Sequence, residues 1–286
     1  MSETHVCVSV DLTYACNYEC PYCVLPSVEK HRPVADWVRA FERLRSKYGD
    51  GRVSVNLSGG EPSIYPGFFE LVKSLAQSQF VSICTNLSWD VGRLIPEVSR
   101  ERMWLSPTLH PTQVPFEEFF AKLLYVRDYV ARPDGGRPQV NCVAWPSQMG
   151  SLPRYKEDLE REGFALFPRP LMVGGDLAND EREMEMIESV SPGETESERH
   201  QAEFRQKKFS PKGRLCRAGQ VFATVRADGM TKRCSRYEEA QLGNFFSDDF
   251  SLWPEPKVCA QDWCPLEHFY LVPEVEKAPL GGERNL

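Results

Sequence analysis

Between residues 5 and 172, six apolar runs of strand length alternate with stretches of helical spacing, and few folds accommodate that pattern. The strand-like runs are 5–12, 52–57, 80–87, 103–109, 138–145 and 164–171. Amphipathic stretches at 35–48, 67–77, 91–98, 116–130 and 152–162 separate them. In Phe116-Glu-Glu-Phe119-Phe120-Ala-Lys-Leu123-Leu124 the apolar positions recur at the helical period. Strand, helix, strand in repetition predicts an α/β fold with a parallel sheet and right-handed crossovers. The pattern does not separate a curled, barrel-like sheet from a doubly wound one.

The first strand-like run leads into Cys16-Asn-Tyr-Glu-Cys20-Pro-Tyr-Cys23. Three thiolates this close can hold three irons of a cubane iron–sulfur cluster. A fourth would close the cluster; three leave one iron open to a ligand. After the second run comes Ser58-Gly59-Gly60-Glu61-Pro62. Glycines let a backbone approach a ligand closely, and a carboxylate accepts hydrogen bonds from an ammonium.

Together these two motifs resemble those of the radical S-adenosylmethionine (SAM) enzymes: C-x3-C-x2-C with an aromatic, here Tyr22, before the last cysteine, and Gly-Gly-Glu-Pro after the next strand. The resemblance implies a partial, six-stranded TIM-like (β/α)6 barrel. It also implies a catalytic [4Fe-4S] cluster on Cys16, Cys20 and Cys23, and SAM as cofactor. By the same resemblance Tyr22 lies against the adenine, and Gly59, Gly60 and Glu61 hold the methionine end of SAM. Thr85, Asn86 and Ser106, at or near strand ends, are candidates for its ribose and carboxylate; helix capping and turn bonding are their ordinary roles. The fifth strand, Val140-Asn-Cys142-Val-Ala-Trp145, departs from the glycine-containing pattern of many relatives.

The catalytic end of such a barrel is the C-terminal end of its strands. His110 and Arg169 fall there, as a base or substrate contact and as a partner for a carboxylate. A capping histidine and a surface ion pair are their ordinary readings. Cys7, Cys84 and Cys142 sit within strand-like runs, which favours buried packing. Cys84 and Cys142 carry a second reading, as thiol hydrogen-atom donors like those of radical SAM epimerases.

Four further cysteines, Cys216, Cys234, Cys259 and Cys264, fall late in the chain. Two strand-like runs flank Asp228-Gly229, a hairpin signal that brings Cys216 and Cys234 near each other. Four thiolates suit a cubane cluster or a structural zinc. The hairpin, followed by Leu242-Gly243-Asn244-Phe245, resembles the twitch and SPASM-type auxiliary domains of radical SAM enzymes. That resemblance implies a second [4Fe-4S] cluster. The expected organisation is a barrel over 1–173, a bridging segment over 174–209, with helices around 180–190 and 196–207, a small hairpin-and-loop iron–sulfur domain over 210–272, and a tail over 273–286.

A formal net charge of −7 argues against nucleic-acid partners and anionic membranes. No apolar run is long enough to span a bilayer, and the N-terminus lacks the features of a secretory signal. A cytoplasmic location follows as the expectation. Ten cysteines there indicate metal or redox use and not a disulfide frame. The resemblance adds a flavodoxin- or ferredoxin-type electron donor. The chain starts at its first strand, leaving no room for a peptide-recognition domain before it. That tilts the expected substrate toward a small molecule undergoing net oxidation. Crosslinking or epimerisation of a peptide residue is the alternative, and a noncatalytic metal-cluster scaffold is the reading from another class.

Overall fold

The computed structural model describes residues 5–25, 31–130, 137–173, 176–193, 210–237 and 239–264. Strands β1 (Val6–Thr13), β2 (Val53–Gly59), β3 (Phe80–Thr85), β4 (Met103–Leu109), β5 (Gln139–Val143) and β6 (Ala165–Arg169) lie side by side in chain order, all parallel. Helices α1 (Val34–Tyr48), α2 (Phe68–Ala76), α3 (Phe116–Tyr125), α4 (Arg127–Val130) and α5 (Leu152–Arg161) fill the crossovers. The fold is the α/β partial barrel that the strand–helix alternation and the cysteine motif jointly predict.

Two helices differ from expectation. The stretch 91–98 forms only a 3-10 turn, Val91–Arg93, capped by the Asp90 carboxylate accepting from the Gly92 amide. Pro96 explains the failure: it lacks an N–H, and its ring clashes with the carbonyl four residues earlier. The single helix expected over 116–130 divides at Val126, whose amide is shared between the Lys122 and Leu123 carbonyls as α3 ends.

Period-two alternation sorts the strands' side chains between two environments. Val6, Val8, Val10 and Leu12, with Val53, Val55, Leu57, Val81, Ile83 and Leu105, pack with Trp37, Phe41, Phe68 and Phe119 of the helices in one core. The alternate positions, Ser9, Asp11, Asn56, Ser58, Cys84 and Ser106, turn to the opposite, concave face and are only partly buried.

After β6 a short antiparallel pair, β7 (Met172–Val173) and β8 (Asp176–Leu177), leads to α6 (Glu181–Val190). Asp180 starts α6 with a capping box shared with Glu183. The helix expected around 196–207 and the tail over 273–286 lie outside the described residues.

Later in the chain, β9 (Leu215–Cys216) pairs with β12 (Lys257–Val258), and the expected hairpin forms as β10 (Phe222–Val225) and β11 (Thr231–Lys232). Its turn follows the Asp-Gly signal: the Gly229 amide donates to Arg226 O, the Arg226 amide to Met230 O, and Gly229 has φ +89°. The hairpin does not stand apart. Strand β10 lies parallel to β1, with Cys7 opposite Phe222 and Val10 opposite Val225, so the sheet runs β11-β10-β1-β2-β3-β4-β5-β6. Phe245, fully buried, packs against Trp37 and Phe41 of α1, and Arg43 donates to its carbonyl at 2.8 Å.

Because the C-terminal segment shares sheet and core with the barrel, Phe245→Ala should destabilise the whole chain by about 3–5 kcal/mol. Denaturant unfolding followed by tryptophan fluorescence and by far-UV circular dichroism should show one shared transition at lower denaturant. A barrel transition left at the wild-type midpoint would refute this coupling.

Candidate active site

The cysteine loop leaves β1 and is at once bonded to the end of β2. The Gly60 amide donates to Thr13 O at 2.8 Å and the Glu61 amide to Ala15 O at 2.9 Å. The two glycines make this approach possible. A Cβ on Gly59 would stand 2.2 Å from Thr13 O, and one on Gly60 would stand 2.1 Å from Ala15 O. Gly59 also has φ +113°, a conformation that favours glycine. Here the glycines bring backbone against the cysteine loop, a role distinct from the ligand approach that the motif alone suggests.

Glu61 is 1% exposed, and its carboxylate accepts from the Asn86 amide (2.8 Å), the Thr85 hydroxyl (3.0 and 3.2 Å) and the Ser63 amide (3.2 Å). Burial pushes its carboxyl above the usual carboxylate range, and these donors pull it back. Glu61 thus ties the end of β2 to the end of β3. Thr85 further accepts from the Leu87 amide and the Trp89 indole. Asn86 donates to Asn17 Oδ1 at 3.1 Å, reaching into the cysteine loop.

A third anchor comes from beyond β4. Gln113 accepts from the Glu19 amide and donates to the Glu19 carbonyl, both at 3.1 Å. His110 Nδ1 lies 2.9 Å from the Tyr22 hydroxyl and 3.5 Å from Cys20 Sγ. Burial lowers His110 to about 4, which leaves the ring neutral near pH 7. The Tyr22 ring leans on Trp145 at 5.4 Å between centroids. Within the loop, the Cys23 amide closes a turn onto Cys20 O, and the Tyr18 amide donates to Cys16 Sγ at 3.4 Å. Cys16 and Cys23 are exposed, Cys20 half-buried, and the three thiols lie within electrostatic reach of one another. Burial raises the Cys16 and Cys20 thiols, so a bound cation is what would ionise them. Three sulfur donors on one anchored loop, open to one side, fit a cluster with one free iron.

The concave face below this loop carries polar side chains, with Trp104 in register with Ser82 and Phe167 with Asn141 among them. Asn56 donates to Ser9 and accepts from Ser82 and, at 3.5 Å, from the Cys84 thiol. Ser58 donates to Asp11, whose carboxyl is raised by burial. Ser106, Asn141 and Arg169 form a chain across β4, β5 and β6: Arg169 Nε donates to Asn141 Oδ1 at 3.1 Å, and Asn141 Nδ2 to Ser106 Oγ at 3.3 Å. Cys84 faces this lining. Cys142 does not: strand parity sends it into the helix-side core with no exposure, where its thiol donates to Val143 O at 3.7 Å.

At the other end of β1, Cys216, Cys234 and Cys259 pack into one buried group with Phe222 and Ala218, and Cys7 and Tyr237 lie against it. Cys264, half-buried, lies outside that packed group. Arg233 is buried beside these thiols, with its Nε lacking a hydrogen-bond partner. A buried cation with an orphaned N–H among gathered thiols fits a negatively charged thiolate cluster. Among the described residues, no three His, Cys, Asp or Glu side chains converge on a single-ion site, and no helix is long and apolar enough to cross a membrane.

Residues 10–102 match the model of the Radical SAM superfamily, so this stretch is a radical SAM domain. Mycofactocin maturase MftC of Mycobacterium tuberculosis is 33% identical over 103 residues, 34% of this chain and 24% of the maturase. The MftC of Mycolicibacterium smegmatis is 31% identical over 103 residues. The match thus spans about a quarter of the length of these curated relatives. Among solved structures, Streptococcus suis SuiB superposes with TM-score 0.57 at 16% identity, covering 86% of this chain and 64% of SuiB. Native anSMEcpe with bound AdoMet and a peptide superposes with TM-score 0.55 at 13% identity, covering 84% and 78%. At these identities the structural likeness is one of fold.

Gln113, Trp145 and Asn141 enter the site without any motif to mark them, and so does Arg233 at the second thiol group. Gly60→Ala should cost about 1–3 kcal/mol, because the new methyl meets backbone that must move. It should also strip iron from anaerobically reconstituted protein. Gly150→Ala, where nothing stands within 4 Å of the new carbon, serves as control. Equal melting temperatures and iron contents for the two variants would overturn the reading of the glycine approach.

Proposed function

We propose that the protein is a radical SAM enzyme that modifies a residue of a peptide or protein. The observation that carries this reading is spatial. The three-thiol loop and the Gly-Gly-Glu segment are bonded together at one end of the strands, above a polar and partly open face. When bound, a [4Fe-4S] cluster and SAM supply one-electron cleavage of the sulfonium and abstraction of a hydrogen atom from an unactivated carbon.

The chain's own residues do the rest. Cys16, Cys20 and Cys23 hold the cluster. The Gly59–Glu61 backbone and the Thr85–Asn86 corner line the place for the methionine end of SAM. Tyr22, kept in position by His110 and Trp145, borders the adenine. The lining from Asp11 to Arg169 receives the substrate: Arg169 and Asn141 offer donors to backbone carbonyls or carboxylates, and Asp11 offers an acceptor. Cys84, on the same face, is the thiol placed to return a hydrogen atom if the outcome is epimerisation. A second [4Fe-4S] cluster on Cys216, Cys234, Cys259 and Cys264 would take or pass an electron, and a flavodoxin- or ferredoxin-type protein would supply the first one.

Peptide substrates are favoured over small metabolites by the relatives. MftC is named a maturase, and SuiB has been solved with its precursor peptide SuiA. The expected small-molecule substrate finds no support in these relatives. The scaffold reading leaves the polar face and the Gly59–Glu61 segment beside the three-thiol loop without a purpose.

Anaerobic protein with SAM and dithionite should form 5′-deoxyadenosine, and Cys16→Ala, Cys20→Ala or Cys23→Ala should abolish it. Extract from the source cells should stimulate that formation above the substrate-free rate, and protease treatment of the extract should remove the stimulation. Stimulation that survives protease would overturn the peptide reading; no deoxyadenosine at all would overturn the enzyme.

A further inference from the structure

Arg233 is a buried charge with no carboxylate beside it among the described residues. It follows β11 directly, is 4% exposed, and sets its guanidinium within electrostatic reach of Cys216 and Cys234. Its Nη1 donates to Val258 O at 3.2 Å, and its Nη2 donates to Lys257 O at 3.0 Å and Cys216 O at 3.3 Å. The guanidinium lies 5.2 Å from the Tyr237 ring centre and 5.3 Å from that of Trp253. Nε is buried with no acceptor. Among the described residues no carboxylate pairs with it; three carbonyls, two aromatic faces and the thiols are its company. Lys257 adds a second cation over Trp253 at 3.7 Å, and Arg236 a third over Trp263 at 4.4 Å.

Carbonyl dipoles and ring faces soften a buried cation, yet they do not neutralise it. Among the described residues no full counter-charge stands beside it, and the groups placed to supply one are thiols. Four thiolates around a cubane carry a net negative charge that such a cation balances.

We propose that Arg233 is the built-in counter-charge of the cluster held by Cys216, Cys234, Cys259 and Cys264, and that it raises that cluster's reduction potential. One-electron reduction adds a negative charge to the cluster, and a fixed cation beside it favours the reduced form. Arg233 is thus a positioning and tuning residue, not one that touches substrate. Its bonds to Cys216, Lys257 and Val258 hold β9 against β12, so the charge and the sulfur donors share one frame. The inference rests on the second cluster proposed above, and its test separates the two.

The full chain carrying Cys16→Ala, Cys20→Ala and Cys23→Ala confines any iron–sulfur signal to the second thiol group. Iron content and a dithionite titration followed by electron paramagnetic resonance should be measured with Arg233 intact, with Arg233→Gln and with Arg233→Lys. The glutamine variant should hold iron about 10-fold more weakly and titrate at a lower potential. The lysine variant, which keeps the charge, should recover both properties in large part. Unchanged iron and potential in the glutamine variant would overturn the proposal. So would a lysine variant as impaired as the glutamine one, since the guanidinium would then act as a strut and not as a charge. An absence of iron with Arg233 intact would instead overturn the second cluster itself.

Discussion

Two backbone hydrogen bonds, Gly60 to Thr13 and Glu61 to Ala15, fix the site, and the rest of its geometry follows from them. They join two segments that are far apart in the sequence at the point where β1 gives way to the cysteine loop. No side chain heavier than hydrogen fits between them. The loop has almost no regular structure, so its backbone groups need partners from outside. The end of β2 holds residues 13–15, Asn86 and Ser88 hold Asn17, Gln113 holds Glu19, and His110 holds Tyr22 and Cys20. These anchors come from the C-terminal ends of β2, β3 and β4, so the register of the parallel sheet sets the spacing of the sulfur donors.

The same sheet explains why there is a face to work on. Closed barrels fill their interior with bulky apolar side chains. Here many inward positions are serine, asparagine, aspartate and cysteine, linked to one another by hydrogen bonds, with Trp104 in register with Ser82 and Phe167 with Asn141. The apolar positions of β1 to β4 turn to the helices, which supply the core without help from the interior. The core and the polar side chains therefore sit on opposite faces of the same strands. A polar substitution on the helix side disrupts the core, whereas one on the concave side leaves it packed.

Much of this was legible in the sequence, and the boundary of legibility has a physical cause. Period-two alternation marks β1 to β4 because each has one apolar face, and β5 and β6 show as short apolar runs buried almost throughout. The Asp228-Gly229 turn is legible because its geometry is local. The cysteines and Gly59–Glu61 are legible because a cluster needs its donors close together. Pro96 could have warned against a helix over 91–98. What the sequence hides is long-range. Gln113 grips Glu19 from 94 residues away, and no spacing rule announces it. Glu61 reads as a ligand for an ammonium because its carboxylate is the most polar feature of its motif; only the fold reveals that Asn86, Thr85 and Ser63 already donate to it. Arg233 looks like a surface charge beside Lys232 until strand pairing turns it inward. The pairing of β10 with β1 is the largest surprise, since a hairpin is complete in itself and gives no sign of needing a further neighbour.

That pairing bears directly on how two thiol groups could work together. Phe222 sits opposite Cys7 at the start of β1, while the catalytic loop leaves β1 after Thr13. The steps from Cys7 to Thr13 along a parallel strand amount to about 20 Å. The two groups are therefore spaced by a rigid ruler, one face of which is buried in the core. A C-terminal unit tethered only by a linker would let that spacing drift, and with it any transfer of an electron between the groups. Here β10 is bonded along β1, Phe245 is locked into α1, and Arg233 stitches the strands that carry Cys216 and its neighbours. The concave lining lies between the two ends, so a substrate seated on it would have one thiol group on either side.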